Sequence, residues 1–366
     1  MSLDVGHFGV DSSSEPVVIA TGTVNALAFD PYRTWAFRRA EVTGFVGSPF
    51  RLPSGNPSAF ARVRQLDPRL IGGERMVALA TSALDSMGEL VARIPTRARL
   101  AVALCLPERT DQTTGTRSGA FTRRRIEGTV VGPLVERGYE LMTRSYSLGH
   151  AGFGHAALEV GRMLEQGTLD AALILAVDSY YDPFVLDALI QEERILDTDS
   201  REGFVPGEAA SAVLLARPGV ARELGASPLA QLMSVGVNAE AATMDNDLPL
   251  TGHGLSRPTV ALCKRLKSEG RSLDWWLCDV TGEPYRTREL SLAWPRASHH
   301  AWTERSVLEM LPTHFGEIGA ASMATGVVLG IEGLRRGDPA GSTVLVTGSS
   351  RGSARAAALL TAIPAA

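Results

Sequence analysis

The chain has 366 residues, 45% apolar and 21% charged, a balance that excludes a disordered or low-complexity protein and is enough for one large layered domain or two smaller ones. With 36 Lys and Arg against 40 Asp and Glu the net charge is −4, so nothing points to nucleic acid as a partner. Apolar runs such as "AALILAV" (171–177) fall far short of the ~20 residues of a membrane helix, and the polar start "MSLDVGHFGVDSSSEP" has no basic-then-apolar leader pattern, so a cytoplasmic protein with no membrane partner is expected.

In chain order, "EPVVIATGTVNAL" (15–27) reads as a strand ending at a Gly turn. Apolar spacing near 3.6 predicts an amphipathic helix over 75–94, and "ARLAVALCLP" (98–107) a buried strand stopped by Pro107. Residues 108–124 read as a polar loop, 151–166 as a helix, 171–178 as a strand, and "SYYDPF" as turn-rich. A second series opens near 228 with a strand, then a helix over 255–270 ended by Gly270, then the strand "DWWLCDV" running into a loop. A short helix is expected over 301–312, a small-residue helix in "GAASMATGVVLGIEGLRRG", and a closing strand in "STVLVTGSS". Strands alternating with helices predict an α/β fold.

A shift of 170 residues superposes two blocks. "LGHAGFGHAALEVGRMLEQG" (148–167) lies over "IGAASMATGVVLGIEGLRRG" (318–337), matching Gly149 with Gly319 and Gly167 with Gly337. The strands that follow match as well, "LILAVDS" (173–179) over "TVLVTGS" (343–349). Helices with so little side-chain bulk suit a sandwiched layer, and a repeat at this separation suggests a duplicated unit, here 1–220 and 221–366.

Two stretches carry a family resemblance. "ILDTDSREGFVPGEAASAVLLAR" (195–217) resembles the ketosynthase segment in which an Asp-rich turn leads through Gly-Phe-Val to a Gly-Glu strand start. "GEIGAASMATGVVLGIEGLRRGD" (316–338) resembles the late Gly-Ala-Ala helix of the same enzymes. The resemblance is sharp over 145–217 and 314–360 and loose elsewhere from residue 15. It implies a thiolase-like, β-ketoacyl synthase-like protein: a five-layered αβαβα sandwich of two pseudo-repeated halves, acting as a homodimer or pseudo-dimer. In that family a Cys nucleophile opens the first central helix, where the helix dipole favours its thiolate. Here the position falls at His150, and no Cys lies between 106 and 262. Family histidines are likewise missing: "CDVTGEPYRTREL" (278–290) holds Asp279 near one, and "HFGEIGAAS" holds Glu317 at the other, with His314 just upstream. The glycine-rich gating loop reads "SSRGSAR" (349–355), where only Gly352 survives and Arg351 replaces an aromatic residue.

Each candidate has a plain structural reading beside the catalytic one. His150 could act as a base or acyl carrier, or hydrogen-bond inside a turn; Glu317 could serve catalysis or support a helix start. Asp279, Glu283, Arg286, Arg288 and Glu289 make a polar wall or a salt-bridged surface loop. Arg351 could meet an anionic group, such as the phosphate of a carrier arm or coenzyme A, or face solvent; Gly149 and Gly352 would flank bound substrate. Glu208 reads as structural and His155 as a packed core histidine. Cys105, Cys263 and Cys278 have no metal-ligand spacing, "HH" at 299–300 lacks partners, and no cofactor is expected.

Three readings stay open. The chain is a pseudoenzyme subunit of fatty acid or polyketide biosynthesis that pairs with itself or a related subunit and meets acyl carrier protein or acyl-CoA. It is a divergent acyltransferase or hydrolase using His150 with Glu317 or Asp279. Or it is an ordinary synthase with a displaced nucleophile.

Overall fold

In the computed structural model the described residues are 3–8, 15–108, 116–197, 201–339 and 341–363. The elements run β1 (Asp4–His7), β2 (Val17–Asn25), α1 (Pro31–Arg39), β3 (Phe45–Arg51), β4 (Pro57–Ala61), α2 (Gly72–Ser86), α3 (Leu90–Arg93), β5 (Leu100–Cys105), α4 (Thr116–Glu136), β6 (Leu141–Tyr146), α5 (Gly152–Glu165), β7 (Ala171–Ser179), α6 (Pro183–Gln191) and β8 (Glu208–Ala216). They continue α7 (Pro218–Glu223), β9 (Ala230–Ala239), α8 (His253–Ser268), β10 (Trp275–Cys278), α9 (Pro284–Ala301), β11 (Val307–Met310), α10 (Pro312–Phe315), α11 (Ser322–Arg336), β12 (Thr343–Ser349) and β13 (Ala354–Thr361).

Ten of the strands fall into two sets with one topology, while β1 adds to β9 and β3 and β4 form a separate pair. The first set is ordered β6-β5-β7-β8-β2 and the second β11-β10-β12-β13-β9, and β2 and β9 join them. Pairings match too: β5 is parallel to β6 and β7, as β10 is to β11 and β12, while β7–β8 and β12–β13 are antiparallel.

Period-2 alternation along the strands sorts side chains between layers. On β5, Leu100, Val102 and Leu104 join an outer core with α2 and α4, while Ala101, Ala103 and Cys105 face the middle. On β10, Trp275 and Leu277 face the middle and Trp276 packs outward among α8 and α9 residues. The middle layer is α5 and α11, whose Ala156, Ala157, Val160, Ala324, Val327 and Val328 pack among residues of both strand sets. The result is the expected αβαβα sandwich.

Close approach explains the small residues. A Cβ on Gly154 would stand 2.3 Å from the Ala356 methyl, and one on Gly326 2.7 Å from Val346. The repeat is visible residue by residue. Gly149 and Gly319 take φ of +54° and +52° and open matching 3₁₀ turns, and Gly167 and Gly337 follow the two helices at +70° and +64°.

One matched position carries opposite charges. Ser179 faces Glu208 across β7–β8, and its repeat mate Ser349 faces Arg355 across β12–β13. Glu208 takes Arg75 of α2 at 2.6 Å, and Arg355 takes Glu289 of α9 at 2.7 Å, all four side chains buried. Glu208 also accepts from Val63 N and Ser179 Oγ, so it is structural, as expected.

Several sequence expectations change. Gly22 lies within β2 rather than at a turn; a side chain there would strike Ala83 O at 2.1 Å, and the strand ends where Asn25 Oδ1 accepts from Leu27 and Ala28 N–H. The expected loop 108–124 is helical from 116; residues 109–115 lie outside the described residues. The turn-rich "SYYDPF" starts α6, capped by Asp182 with Pro183 at its first position. The polar wall at 284–290 is helical, and the expected helix over 301–312 holds the short strand β11 and one turn, α10.

Gly154→Val should lower stability by about 1–3 kcal/mol, since neither Ala356 nor the sheet behind it can retreat. Gly128→Ala, where a Cβ on the exposed face of α4 meets nothing within 4 Å, should instead raise stability by about 0.5–1 kcal/mol. Urea unfolding of both variants checks the pair.

Candidate functional site

His150 sits in the 3₁₀ turn Gly149–Ala151 that leads into α5. Its approach to β12 requires Gly348, whose Cβ would lie 2.5 Å from His150 O. Glu317 reaches the same place from the second half. Gly316 turns the chain at φ +66°, Glu317 N donates to Val205 O at 2.8 Å, and Gly207 N donates back to Glu317 O at 2.9 Å. The "GFVPGE" stretch is therefore the clamp that aims this carboxylate.

The two side chains meet at 2.6 Å, His150 Nε2 to Glu317 Oε1, and the same oxygen accepts from Gly319 N at 2.6 Å. A carboxylate only accepts, so Nε2 carries the proton. Asp178 accepts from Ala320 N at 3.0 Å, so two carboxylates serve the turn before α11, where the helix dipole favours negative charge.

Arg286 covers the pair. Its Nη2 stands 3.3 and 3.5 Å from the two ring nitrogens of His150 and 3.9 Å from Glu317 Oε2. Its Nη1 donates to Ser349 O at 2.6 Å and reaches Asp279 Oδ2 at 3.4 Å; Nε donates to Glu283 Oε2 at 3.2 Å. Asp279 also accepts from Ser349 N at 2.8 Å, and Glu283 receives Arg194 at 2.8 Å. The structure thus brings His150, Glu317 and Asp279 together, but around a guanidinium rather than an open cleft. Exposures are 5% for His150, 3% for Arg286, 2% for Asp279 and 1% for Glu317. Three surface clefts lie elsewhere, and His150 lines none of them.

Charge governs the cluster. Burial pushes the Glu317 carboxyl up, but His150 and Arg286 outweigh it and hold the group down at about 2. Burial weakens the Arg286 cation, while Glu317, Asp279 and Glu283 overcompensate and hold its pKa above the ordinary value.

The remaining candidates lie at the rim or away. Gly149 N donates to Leu106 O. Gly352 N donates to Glu108 Oε1 at 2.9 Å, and Glu108 lies against both glycines, since a Cβ on Gly149 would stand 3.1 Å from its Cβ. Arg351 is engaged twice, at 2.6 Å to Asp245 and 2.8 Å to Glu192, joining three segments across the rim. His314 is not brought to the cluster: it faces Val42 O at 3.2 Å and Glu309 at 3.7 Å. Arg286 belongs to the expected polar wall, and the i, i+3 spacing of Arg286 and Glu289 marks one helix face in the sequence; Arg194 and Glu108 carry no comparable sequence signal.

Cys105 ends β5 beneath the first turn of α5, about where a Gly152 side chain would point. It is fully buried, and burial pushes its thiol far above the ordinary value; the same cause pushes Cys263 and Cys278 to about 12. None of them holds a thiolate near neutrality. Among the described residues no group of three or more His, Cys, Asp and Glu could hold a metal ion, and no helix is long and apolar enough to cross a membrane.

No family profile and no curated protein sequence matches the chain. Solved structures do. A ketosynthase in complex with its chain length factor from Xenorhabdus doucetiae matches with TM-score 0.74 and 15% identity, over 97% of this chain and 100% of that one. A β-ketoacyl synthase from Burkholderia phymatum STM815 matches with TM-score 0.70 and 15% identity, over 96% and 100%. The AntDE:AntF complex, a type II acyl-carrier protein with its ketosynthase, matches with TM-score 0.74 and 14% identity, over 96% and 100%. This is the thiolase-like fold of the ketosynthases. Within it, the polar cluster occupies the start of the first central helix.

Glu317→Gln should cost about 3–5 kcal/mol at neutral pH by leaving Arg286 undercompensated in the interior. Because folding lowers the carboxyl from 4.5 to about 2, its contribution is complete above about pH 4.5 and fades as pH falls toward 2. The gap between parent and variant in urea titrations should narrow over that window. All three cysteines should resist a thiol-specific disulfide reagent until the chain unfolds.

Proposed function

We propose that this chain is a non-condensing ketosynthase-fold subunit, a pseudoenzyme of fatty acid or polyketide biosynthesis. It acts by pairing with a related subunit or a second copy and shaping the surface on which an acyl carrier protein or acyl-CoA is handled. The Arg286 guanidinium packed over the His150–Glu317 pair is the observation that supports this most directly. Decarboxylative condensation needs a nucleophile that holds the acyl group and donors that stabilise an enolate. Here the corresponding space is filled by side chains already committed to one another. A division into halves at 1–220 and 221–366 belongs to the same proposal, with its boundary falling within α7, on the connection between β8 and β9.

The His150–Glu317 hydrogen bond favours a second reading, a hydrolase or acyltransferase in which Glu317 orients a histidine base. It is the weaker one. Nε2 is spent on Glu317, and Nδ1, the nitrogen left to take a proton, faces the Arg286 cation 3.5 Å away.

The test is intact-protein mass spectrometry after incubation with malonyl- and acyl-loaded carrier protein and coenzyme A, with free thiol followed alongside. The proposed role expects unchanged mass and no thiol release above the blank. A stable acyl adduct would sink it. Thiol release that disappears in His150→Gln would establish the second reading instead.

A further inference from the structure

The connection from β9 to α8, residues 240–252, is tied to α9 near both of its ends. Tyr285 Oη donates to Ala242 O at 2.6 Å, and Arg296 Nη1 donates to Thr251 O at 2.9 Å. Gly252 lies so close to the helix that a Cβ on it would stand 2.8 Å from Leu292 Cβ. Between these ties a cleft of about 400 Å³ separates the connection from the helix, with Leu248, Pro249 and Leu250 on one side and Pro284, Tyr285 and Arg288 on the other. It is separate from the His150 cluster and plays no part in the function proposed above.

The cleft is built in advance of any ligand. Asn246 Oδ1 accepts from Thr243 N and Leu248 N at 3.2 Å each, and its Nδ2 donates to Ala241 O at 3.1 Å, so one side chain holds the shape of the loop. The walls are mostly apolar. Leu248 is 56% exposed, and it shares the space with Leu250, two proline rings and the Tyr285 ring. An apolar surface of this kind gains by being covered.

One uncompensated charge faces it. Tyr285, Arg288 and Leu292 recur at i, i+3 and i+7 and share a face of α9. The two that flank Arg288 touch the two ends of the connection, so Arg288 is aimed beneath its middle. Its guanidinium has no hydrogen-bond or ion-pair partner among the described residues. Nearby acids are committed or turned elsewhere: Asp245 to Arg351 at 2.6 Å, Glu289 to Arg355 at 2.7 Å, while Asp247 does not line the cleft. The Tyr285 hydroxyl is spent on Ala242 O and on Arg355, which leaves its ring as the surface offered.

We infer that this cleft is a binding site for a small carboxylic acid with an aromatic body. Its carboxylate pairs with the Arg288 guanidinium, and its ring lies among Tyr285, Pro249 and Leu248. The paired donors of a guanidinium match the two oxygens of a carboxylate, and an ammonium in the same place would meet a like charge. Aromatic rings pack well against one another and against apolar side chains.

Calorimetric titration of the full chain with phenylacetate, phenethyl alcohol and phenethylammonium tests this. Saturable binding of phenylacetate is expected, with the alcohol weaker by about tenfold or more and the ammonium silent. Arg288→Gln should bring phenylacetate down to the affinity of the alcohol and leave the alcohol unchanged. Leu248→Ser should weaken both. Arg288 and Leu248 are exposed, so both variants keep the fold. No saturable binding of phenylacetate, equal binding of the alcohol or the ammonium, or an unchanged phenylacetate affinity in Arg288→Gln or Leu248→Ser would each overturn the assignment.

Discussion

A buried carboxylate must be surrounded by donors, and the middle of this molecule is organised by that demand. Glu317 is charged, sealed from water, and answered by His150, Gly319 N–H and Arg286. Each answer comes from a different element: the turn before α5, the turn before α11, and α9. Arg286 in turn needs carboxylates of its own, and Asp279 and Glu283 supply them. Alternating charges thus lock both central helix starts to the outer layer of the second half. A substrate entering here would have to displace ion pairs whose members cannot be rehydrated in place.

Much of the architecture was legible because it rests on backbone approach. The 170-residue offset could be seen because Gly149, Gly319, Gly167 and Gly337 are demanded by positive φ and tight turns, and such demands leave few substitutes. The strands flanking the central helices were legible for a related reason: buried on both faces, they read as short unbroken apolar runs.

The elements that were misread fail the same test in reverse. The buried face of α9 contains Arg286 and Glu289 beside Ala293, Ala297 and Ala301, so its apolar periodicity is interrupted by the charges that matter most. β11 is four residues at a sheet edge, half exposed, and β13 is alanine-rich, with little intrinsic strand preference. For the site, the missing nucleophile and histidines could be read by position. The guanidinium that fills the gap could not, because its ion pairs join residues far apart in sequence, and only tertiary structure makes them neighbours.

The charge reversal between Glu208 and Arg355 has a consequence for assembly during folding. A duplicated chain risks confusing its own parts, since the two sheets offer nearly the same docking platform. Arg75 carried to the wrong platform would confront Arg355, and Glu289 carried to the other would confront Glu208. Each cross-docked arrangement would entomb two like charges, so these four side chains act as an address code that tells each sheet which helix is its own.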